Sequence, residues 1–148
     1  MKAISIYAPF AMAIALKYKS VELRNWQTSY RGEILICSSV KDKNKKDLKD
    51  ICIFGKALAV ATISDCKPFS EKDREAAYIV EDEDVSKSNS WYLTNIEPVK
   101  PFDVKGKQRL FDVDVDKITV LDIDDEYYDD ILLDYYLQNN LISELPKD

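Results

Sequence analysis

Six short segments with strand-like patterns constrain the fold more than any other feature of this sequence. In a β-strand successive side chains point to opposite faces, so alternation of apolar and polar residues predicts strands with one buried face. Charged runs and turn residues separate the segments. They are residues 2–7, 20–24, 32–39, 56–66, 90–99 and 108–122. The sequence therefore predicts a domain that is largely β.

Helical patterns lie between and after these segments. Pro9 suits a first helical turn and precedes the helix formers Phe10 to Leu16. Ser70, with Asp73 three residues later, resembles a capping box and predicts a helix over 70–79. The charge run 41–50 is expected to be a solvated loop that leads into a helix over 47–53. Residues 124–141 predict an acidic helix with an apolar stripe.

Together these patterns predict an α+β fold, a small mixed β-barrel with inserted helices and an acidic C-terminal helix. Alternating βα units do not occur, which disfavours a doubly wound parallel sheet. We expect one domain over residues 1–123, with residues 124–148 as an extension packed on it or appended to it.

The chain contains no histidine, which excludes Ser-His-Asp and Cys-His catalysis and any histidine-ligated metal. Three glycines cannot supply a Gly-rich phosphate loop, and three widely spaced cysteines predict neither a zinc site nor a disulfide framework. We therefore expect no cofactor and no metal. Since no apolar run approaches about 18 residues and no signal-peptide pattern is present, we expect a cytoplasmic protein without a membrane partner.

The net charge of −6 is unevenly distributed along the chain. Residues 1–60 carry eleven Lys and Arg against five Asp and Glu, whereas residues 61–148 carry ten against twenty-two. A protein that binds nucleic acid through its overall field is normally basic. Any polyanion site is therefore expected to be a local patch in the N-terminal part.

The stretch "KYKSVELRNWQTSYRG" at 17–32 concentrates side chains suited to such a patch. The strand period places Glu22 and Arg24 on one face, and Lys19 at the strand's start can turn to either side. Arg24, oriented by Glu22, offers a fork for phosphate or a base edge. The alternative is an ordinary surface ion pair beside a core tryptophan. The predicted ligand-binding residues are Lys19, Glu22, Arg24, Trp26, Tyr30, Arg31, Lys105 and Lys107.

The other residues are predicted to bind a ligand for separate chemical reasons. Trp26 and Tyr30 offer faces on which an unpaired base can stack. Arg31 precedes Gly32, where the backbone can approach a ligand closely. Lys105 and Lys107 flank a glycine in a predicted hairpin turn, which is either a phosphate-contacting loop or simply solvated.

Two blocks of the chain resemble the ASCH domain, a relative of the PUA domain. The first, G-x-K-x-x-E-x-R-x-W followed by Y-R-G, is matched by Lys19, Glu22, Arg24, Trp26 and the run 30–32. The second appears as "WYLTNIEPVKPFDVKGKQRLFDV" at 91–113. The chain departs from the pattern at Ala8 and Phe10 beside Pro9, at Lys17 in place of a common glycine, and at Cys37 and Ser38 in place of His-Ala.

The resemblance implies a PUA-like β-barrel whose cleft faces the Lys19–Arg24 strand and binds RNA, DNA or a nucleotide. Some members are enzymes, so an alternative is a small hydrolase, either N4-acylcytidine amidohydrolase-like or a ribonuclease, using Lys19 and Glu22. The amidohydrolase branch carries a threonine where this chain has Glu22, and a carboxylate cannot replace a hydroxyl nucleophile. Glu22 is instead expected to favour protonated Lys19.

A third reading makes the chain a protein-interaction module that uses residues 124–148. The sequence leaves the oligomeric state open.

Overall fold

The computed structural model describes residues 1–41, 53–79 and 84–121. One helix and a six-stranded sheet form its framework, with strand order β2-β5-β4-β3-β1-β6. Strands β1 and β3 are parallel, and every other pair in the sheet is antiparallel. The elements are β1 (Lys2–Ile6), α1 (Ala8–Ala15), β2 (Val21–Arg24), β3 (Gly32–Ser38), β4 (Lys56–Pro68), β5 (Asn89–Asp103) and β6 (Leu110–Asp112).

The chain after β6 returns to the other side of the sheet. Val120 forms an isolated antiparallel bridge with Val99 of β5, and the Leu121 N–H donates to the Pro98 carbonyl. The segment that follows β6, an edge strand, therefore hydrogen-bonds to β5, which lies next to the opposite edge strand β2. The described strands form a half-barrel. The predicted mixed barrel is therefore present in part within the described residues.

Helix α1 fills the inside of this half-barrel. Pro9 lies in its first turn, where the missing N–H costs no hydrogen bond. The helix is apolar almost all round, as expected of a helix buried in a core. Met12 and Ile14 are fully buried and pack in one cluster with Trp91 and strand residues. A second cluster, around Leu35, Val99 and Phe111, forms a separate part of the core.

Most of the predicted elements are present, with three differences. Strand β5 extends to Asp103, beyond the predicted end at 99, and within 108–122 the described strand is only Leu110–Asp112. Segment 70–79 forms a 3-10 turn, Glu71–Asp73, followed by turns, and not the expected helix.

The backbone of segment 70–79 hydrogen-bonds to the start of β2 and does not continue a helix. The Ala76 carbonyl accepts hydrogen bonds from the Ser20 and Val21 N–H groups, and Tyr78 adopts a left-handed φ of 57°. Each of these features interrupts an i to i+4 ladder.

Four sequence predictions fall on residues outside the described ranges. These are the loop over 41–50 and the helix over 47–53, of which only residues 41 and 53 are described, the acidic helix over 124–141 and the domain boundary at 123. Among the helices that are described, none is long and apolar enough to cross a membrane.

Candidate nucleic-acid interface

Lys19, Glu22 and Arg24 form a cluster of three charges, of which Lys19 and Glu22 are buried. Glu22 is paired with Trp91 across β2 and β5, so both side chains lie on the inner face of the sheet. Glu22 Oε1 lies 3.5 Å from Lys19 Nζ, and Oε2 lies 3.1 Å from Arg24 Nε. Lys19 and Glu22 are only 3% and 7% exposed. The structure thus brings these three of the predicted binding residues together, and the Lys19 side chain turns to the face of β2 that carries Glu22.

Lys19 is held on more than one side. Its ammonium donates a 2.6 Å hydrogen bond to the Ala77 carbonyl and lies 5.5 Å from the centre of the Phe10 ring. Burial lowers the pKa of Lys19 more than the neighbouring Glu22 carboxylate raises it, and Arg24 lowers it further. Glu22 favours protonated Lys19, as expected, but the desolvation of the buried ammonium outweighs this effect.

Arg24 links this buried cluster to the surface. Its Nη2 donates a 3.0 Å hydrogen bond to the Ser5 carbonyl at the end of β1. Its buried Nε makes the ion pair with Glu22 without a well-directed hydrogen bond. The side chain is 26% exposed. The guanidinium is therefore fixed from two directions while part of the side chain is exposed, an arrangement suited to binding an anion.

Trp26 lies two residues beyond Arg24 and is half-buried. It packs perpendicular to Trp91 with ring centres 4.7 Å apart, and the Trp91 Nε1–H donates to the Trp26 carbonyl at 3.2 Å. Arg109 lies over the Trp26 ring, with Cζ 4.6 Å from its centre. These contacts fix the indole in place beside the charged cluster.

Sequence reasoning missed Arg109. The alternating pattern over 108–122 placed it in a strand, whereas in the structure it precedes β6 in a left-handed conformation with φ of 60°. Its position inside the second matched block was the only signal available. Contact with Trp26 requires two segments that are far apart in sequence, and no local pattern reports such a contact.

Lys105 and Lys107 are exposed on the loop between β5 and β6. Gly106 between them approaches β1 so closely that an added Cβ would lie 2.9 Å from Ser5 Oγ. Because the Ser5 carbonyl also accepts the Arg24 hydrogen bond, this loop lies at the edge of the charged cluster. The backbone that carries both lysines therefore passes beside β1 at Ser5, and their role in binding stays a prediction.

Tyr30 and Arg31 are engaged elsewhere. The Tyr30 hydroxyl donates to the Glu33 carbonyl at 2.6 Å, and its ring packs against the core. Arg31 donates to the Thr28 and Tyr30 carbonyls and pairs with Asp65 at 3.5 Å. Asp65 lines a different groove, with Ser20, Ser64 and Tyr92. The structure does not bring Arg31 to the charged cluster, and its role in binding stays a prediction.

We call Phe10, Arg24, Trp26 and Arg109 the basic-aromatic surface. Phe10 is exposed and lies over Lys19, while Arg109 covers Trp26. A guanidinium can bind phosphate and an aromatic ring can stack on a planar base, so these four side chains supply both kinds of contact. Within the described ranges, no group of three or more carboxylate or thiol side chains is arranged to hold a metal ion.

Comparisons with known proteins agree with the fold. A family model described as ASCH domain matches residues 4–103. The structure is similar to that of ASCH from Zymomonas mobilis, at 17% identity over 90% of this chain and 93% of that chain, with a TM-score of 0.55. A serine-to-alanine variant of that protein gives a TM-score of 0.58, at 16% identity over 76% and 87% of the two chains. No curated protein matches the chain significantly.

Proposed function

The chain belongs to the ASCH domain family, and from this premise we propose that it binds nucleic acid, with RNA, DNA or a nucleotide as the ligand class. The basic-aromatic surface is the proposed site, and Lys105 and Lys107 at its edge are proposed to contact the backbone phosphates. The proposal fits the relationship of the ASCH family to RNA-binding PUA domains. It also fits the charge distribution, in which the acidic remainder limits non-specific binding.

The observation that carries the proposal is the arrangement of Arg24. A guanidinium held by Glu22 and by the Ser5 carbonyl loses little freedom when it binds, so less of the binding energy is lost to ordering the side chain. The anchoring also leaves part of the side chain exposed, which a purely structural ion pair would not require.

The proposal is tested by measuring single-stranded RNA binding to the wild type and to Arg24→Ala by fluorescence anisotropy. Removing one charge-assisted contact costs about 1.5–3 kcal/mol, so we expect binding to weaken by roughly tenfold or more. Lys87→Ala is the matched control, because Lys87 is an exposed cation on the β4–β5 connection. Equal losses in the two variants would show that only overall charge matters and would contradict the proposal.

Arg24→Ala also removes a partner of buried Glu22, so its folding must be checked by circular dichroism and urea unfolding. Arg109→Ala provides a second arm, since the exposed Arg109 side chain takes part in no buried ion pair with the residues that the structure describes. Weakened binding in this variant, with unchanged unfolding, attributes the loss to the surface and not to misfolding.

A second candidate function is hydrolysis of an acylated nucleoside or of RNA with Lys19 and Glu22 as the reacting groups. The arrangement that favours it is the buried Lys19–Glu22 pair, in which burial lowers the pKa of Lys19 and so favours the neutral amine that can act as a base or nucleophile. Turnover of N4-acetylcytidine or of an RNA oligonucleotide that Lys19→Ala abolishes would support it. Undiminished turnover in Lys19→Ala would exclude Lys19 as a reacting group.

The third candidate, a protein-interaction module, rests on residues 124–148, which lie outside the described ranges. A pull-down of a partner that is lost when these residues are deleted would support it. Retention of the same partner by the truncated chain would contradict it.

A further inference from the structure

Arg109 is held on Trp26 by one weak kind of contact. Its guanidinium carbon lies 4.6 Å from the centre of the indole ring, and the side chain is exposed. Among the described residues it makes no hydrogen bond and no ion pair. A cation over an aromatic ring at an exposed site is worth only about 0.5–1 kcal/mol, which corresponds to roughly a two- to five-fold preference. The guanidinium can therefore leave the ring at little cost.

The backbone of Arg109, in contrast, is fixed. The next residue, Leu110, begins β6 and pairs with Ile4 of β1. Arg109 itself has a φ of 60°, which is uncommon for a residue other than glycine and occurs often where backbone strain serves a function. Release of the guanidinium from the indole thus requires only rotation of the side chain, while the loop stays in place.

Trp26 does not share this freedom. The perpendicular Trp91 ring packs against it, and the Trp91 Nε1–H holds its backbone carbonyl. Trp91 is itself fully buried in the core. Within this pair of contacts the indole is the fixed partner, and Arg109 is the part that can move.

We infer that Arg109 is a displaceable cover on Trp26: an unpaired base takes its place on the indole, and the released guanidinium binds an adjacent phosphate. This inference rests on the proposed function and narrows it, because it names single-stranded nucleic acid as the ligand. Bases within a duplex are stacked on one another and do not offer a free face to an indole, whereas unpaired bases stack on aromatic side chains without regard to sequence.

The inference predicts opposite effects of one substitution on two ligands. A nucleoside has a base but no phosphate, so it must displace Arg109 and gains nothing from the released guanidinium. A single-stranded oligonucleotide must also displace it but regains a phosphate contact. Arg109→Ala should therefore bind a nucleoside more tightly than the wild type does, and an oligonucleotide more weakly.

The experiment uses the full-length chain with adenosine and with an adenine-only single-stranded RNA of about ten nucleotides, a length in the usual range of single-strand sites. Binding is followed through the indole N–H signals of Trp26 and Trp91 by NMR, which also detects weak nucleoside binding. We expect Arg109→Ala to bind adenosine roughly two- to five-fold more tightly, since the competing cation–π contact is gone.

The RNA arm is measured over a range of salt concentrations. Loss of one phosphate contact to a single strand lowers the slope of log K against log salt by about 0.7. Arg109→Ala should show this reduced slope and weaker binding, and Arg109→Lys should restore the slope because it keeps the positive charge. Lys87→Ala, an exposed cation outside the basic-aromatic surface, should change neither the adenosine affinity nor the indole shifts.

The outcomes separate the inference from the function on which it rests. Adenosine and RNA affinities that move in the same direction in Arg109→Ala, or an adenosine affinity that does not change, would overturn the displaceable cover and leave nucleic-acid binding intact. A wild type that binds neither adenosine nor single-stranded RNA would overturn both proposals. Tighter binding of a duplex than of the single strand would also overturn the inference.

Discussion

The Lys19 ammonium and the Glu22 carboxylate form a 3.5 Å ion pair in which neither side chain is more than a tenth exposed. Arg24 shares the same carboxylate, so the cluster as a whole keeps one positive charge in excess. Two of the three groups are buried, and the surplus charge can reach solvent only through Arg24. The buried Lys19–Glu22 pair thus holds the Arg24 cation at the surface of the half-barrel.

Removing the shared carboxylate should be strongly destabilising. Glu22→Gln leaves the Lys19 and Arg24 cations near one another without a counter-charge, and breaking a buried ion pair in this way typically costs about 3–5 kcal/mol. Urea unfolding followed by circular dichroism measures the change. Asp112→Asn is the control, since Asp112 pairs with Lys2 at the surface and its loss should cost less than about 1 kcal/mol. Similar losses in both variants would show that burial of the cluster adds nothing.

The lowered pKa of Lys19 predicts how stability changes at alkaline pH. Burial places its folded-state pKa below the ordinary value of 10.5, so the unfolded chain binds more protons between these two values. Stability linked to Lys19 should therefore rise as pH increases from its folded-state pKa toward 10.5. Urea unfolding of the wild type and of Lys19→Met, from about pH 7 to about pH 10, gives the difference between the two chains.

The Lys19→Met comparison isolates Lys19 because other alkaline groups are common to both chains. Burial raises the pKa of the Cys37 thiol to about 12, which acts in the opposite sense as pH rises. Its contribution cancels in the difference. A wild-type advantage that stays level or falls with pH would contradict the lowered pKa of Lys19.

Local patterns predicted the elements of this fold better than they predicted the site. The alternation in 2–7 and the continuous apolar run in 32–39 are both local signals, and both segments are strands, the second of them buried on both faces from Ile34 to Ser38. Segment 70–79 failed because its capping signal is local, while the groups that decide its structure belong to β2. In the same way the spacing of Glu22 and Arg24 reports a shared face, but only the folded chain brings Arg109 onto Trp26.

Asp73 ties the turn after β4 to strand β5. Its carboxylate accepts hydrogen bonds from the Tyr92 hydroxyl at 2.8 Å and the Ser90 hydroxyl at 2.9 Å. Burial raises the pKa of Asp73, but these bonds and one from the Ser70 N–H outweigh it and lower the pKa overall. Tyr92→Phe should therefore lower the free energy of unfolding by about 1.5–3 kcal/mol, the usual range for a hydrogen bond to a charged group.

The effect of Tyr92→Phe should depend on pH in a defined direction. A depressed carboxyl pKa contributes stability above the ordinary value of 3.8, and this stability is lost as pH falls through the folded-state pKa. Urea unfolding at neutral pH and at about pH 3 tests this, with Tyr7→Phe as the control, because Tyr7 is exposed. A destabilisation that is equal at both pH values would show that Asp73 is not the group responsible.

Gly32 follows the Tyr30–Arg31 pair and opens β3 with a φ of 133°, a conformation that L side chains rarely adopt. An added Cβ would meet the Tyr30 hydroxyl only at ordinary contact distance, 3.4 Å. The cost of Gly32→Ala should therefore come from backbone strain, about 1–3 kcal/mol by urea unfolding. Gly106→Ala is the opposite case, since its Cβ would crowd Ser5 Oγ at 2.9 Å without a left-handed backbone. Comparison of these two variants separates backbone strain from steric crowding. A Gly32→Ala chain as stable as the wild type would mean that β3 can begin in another conformation.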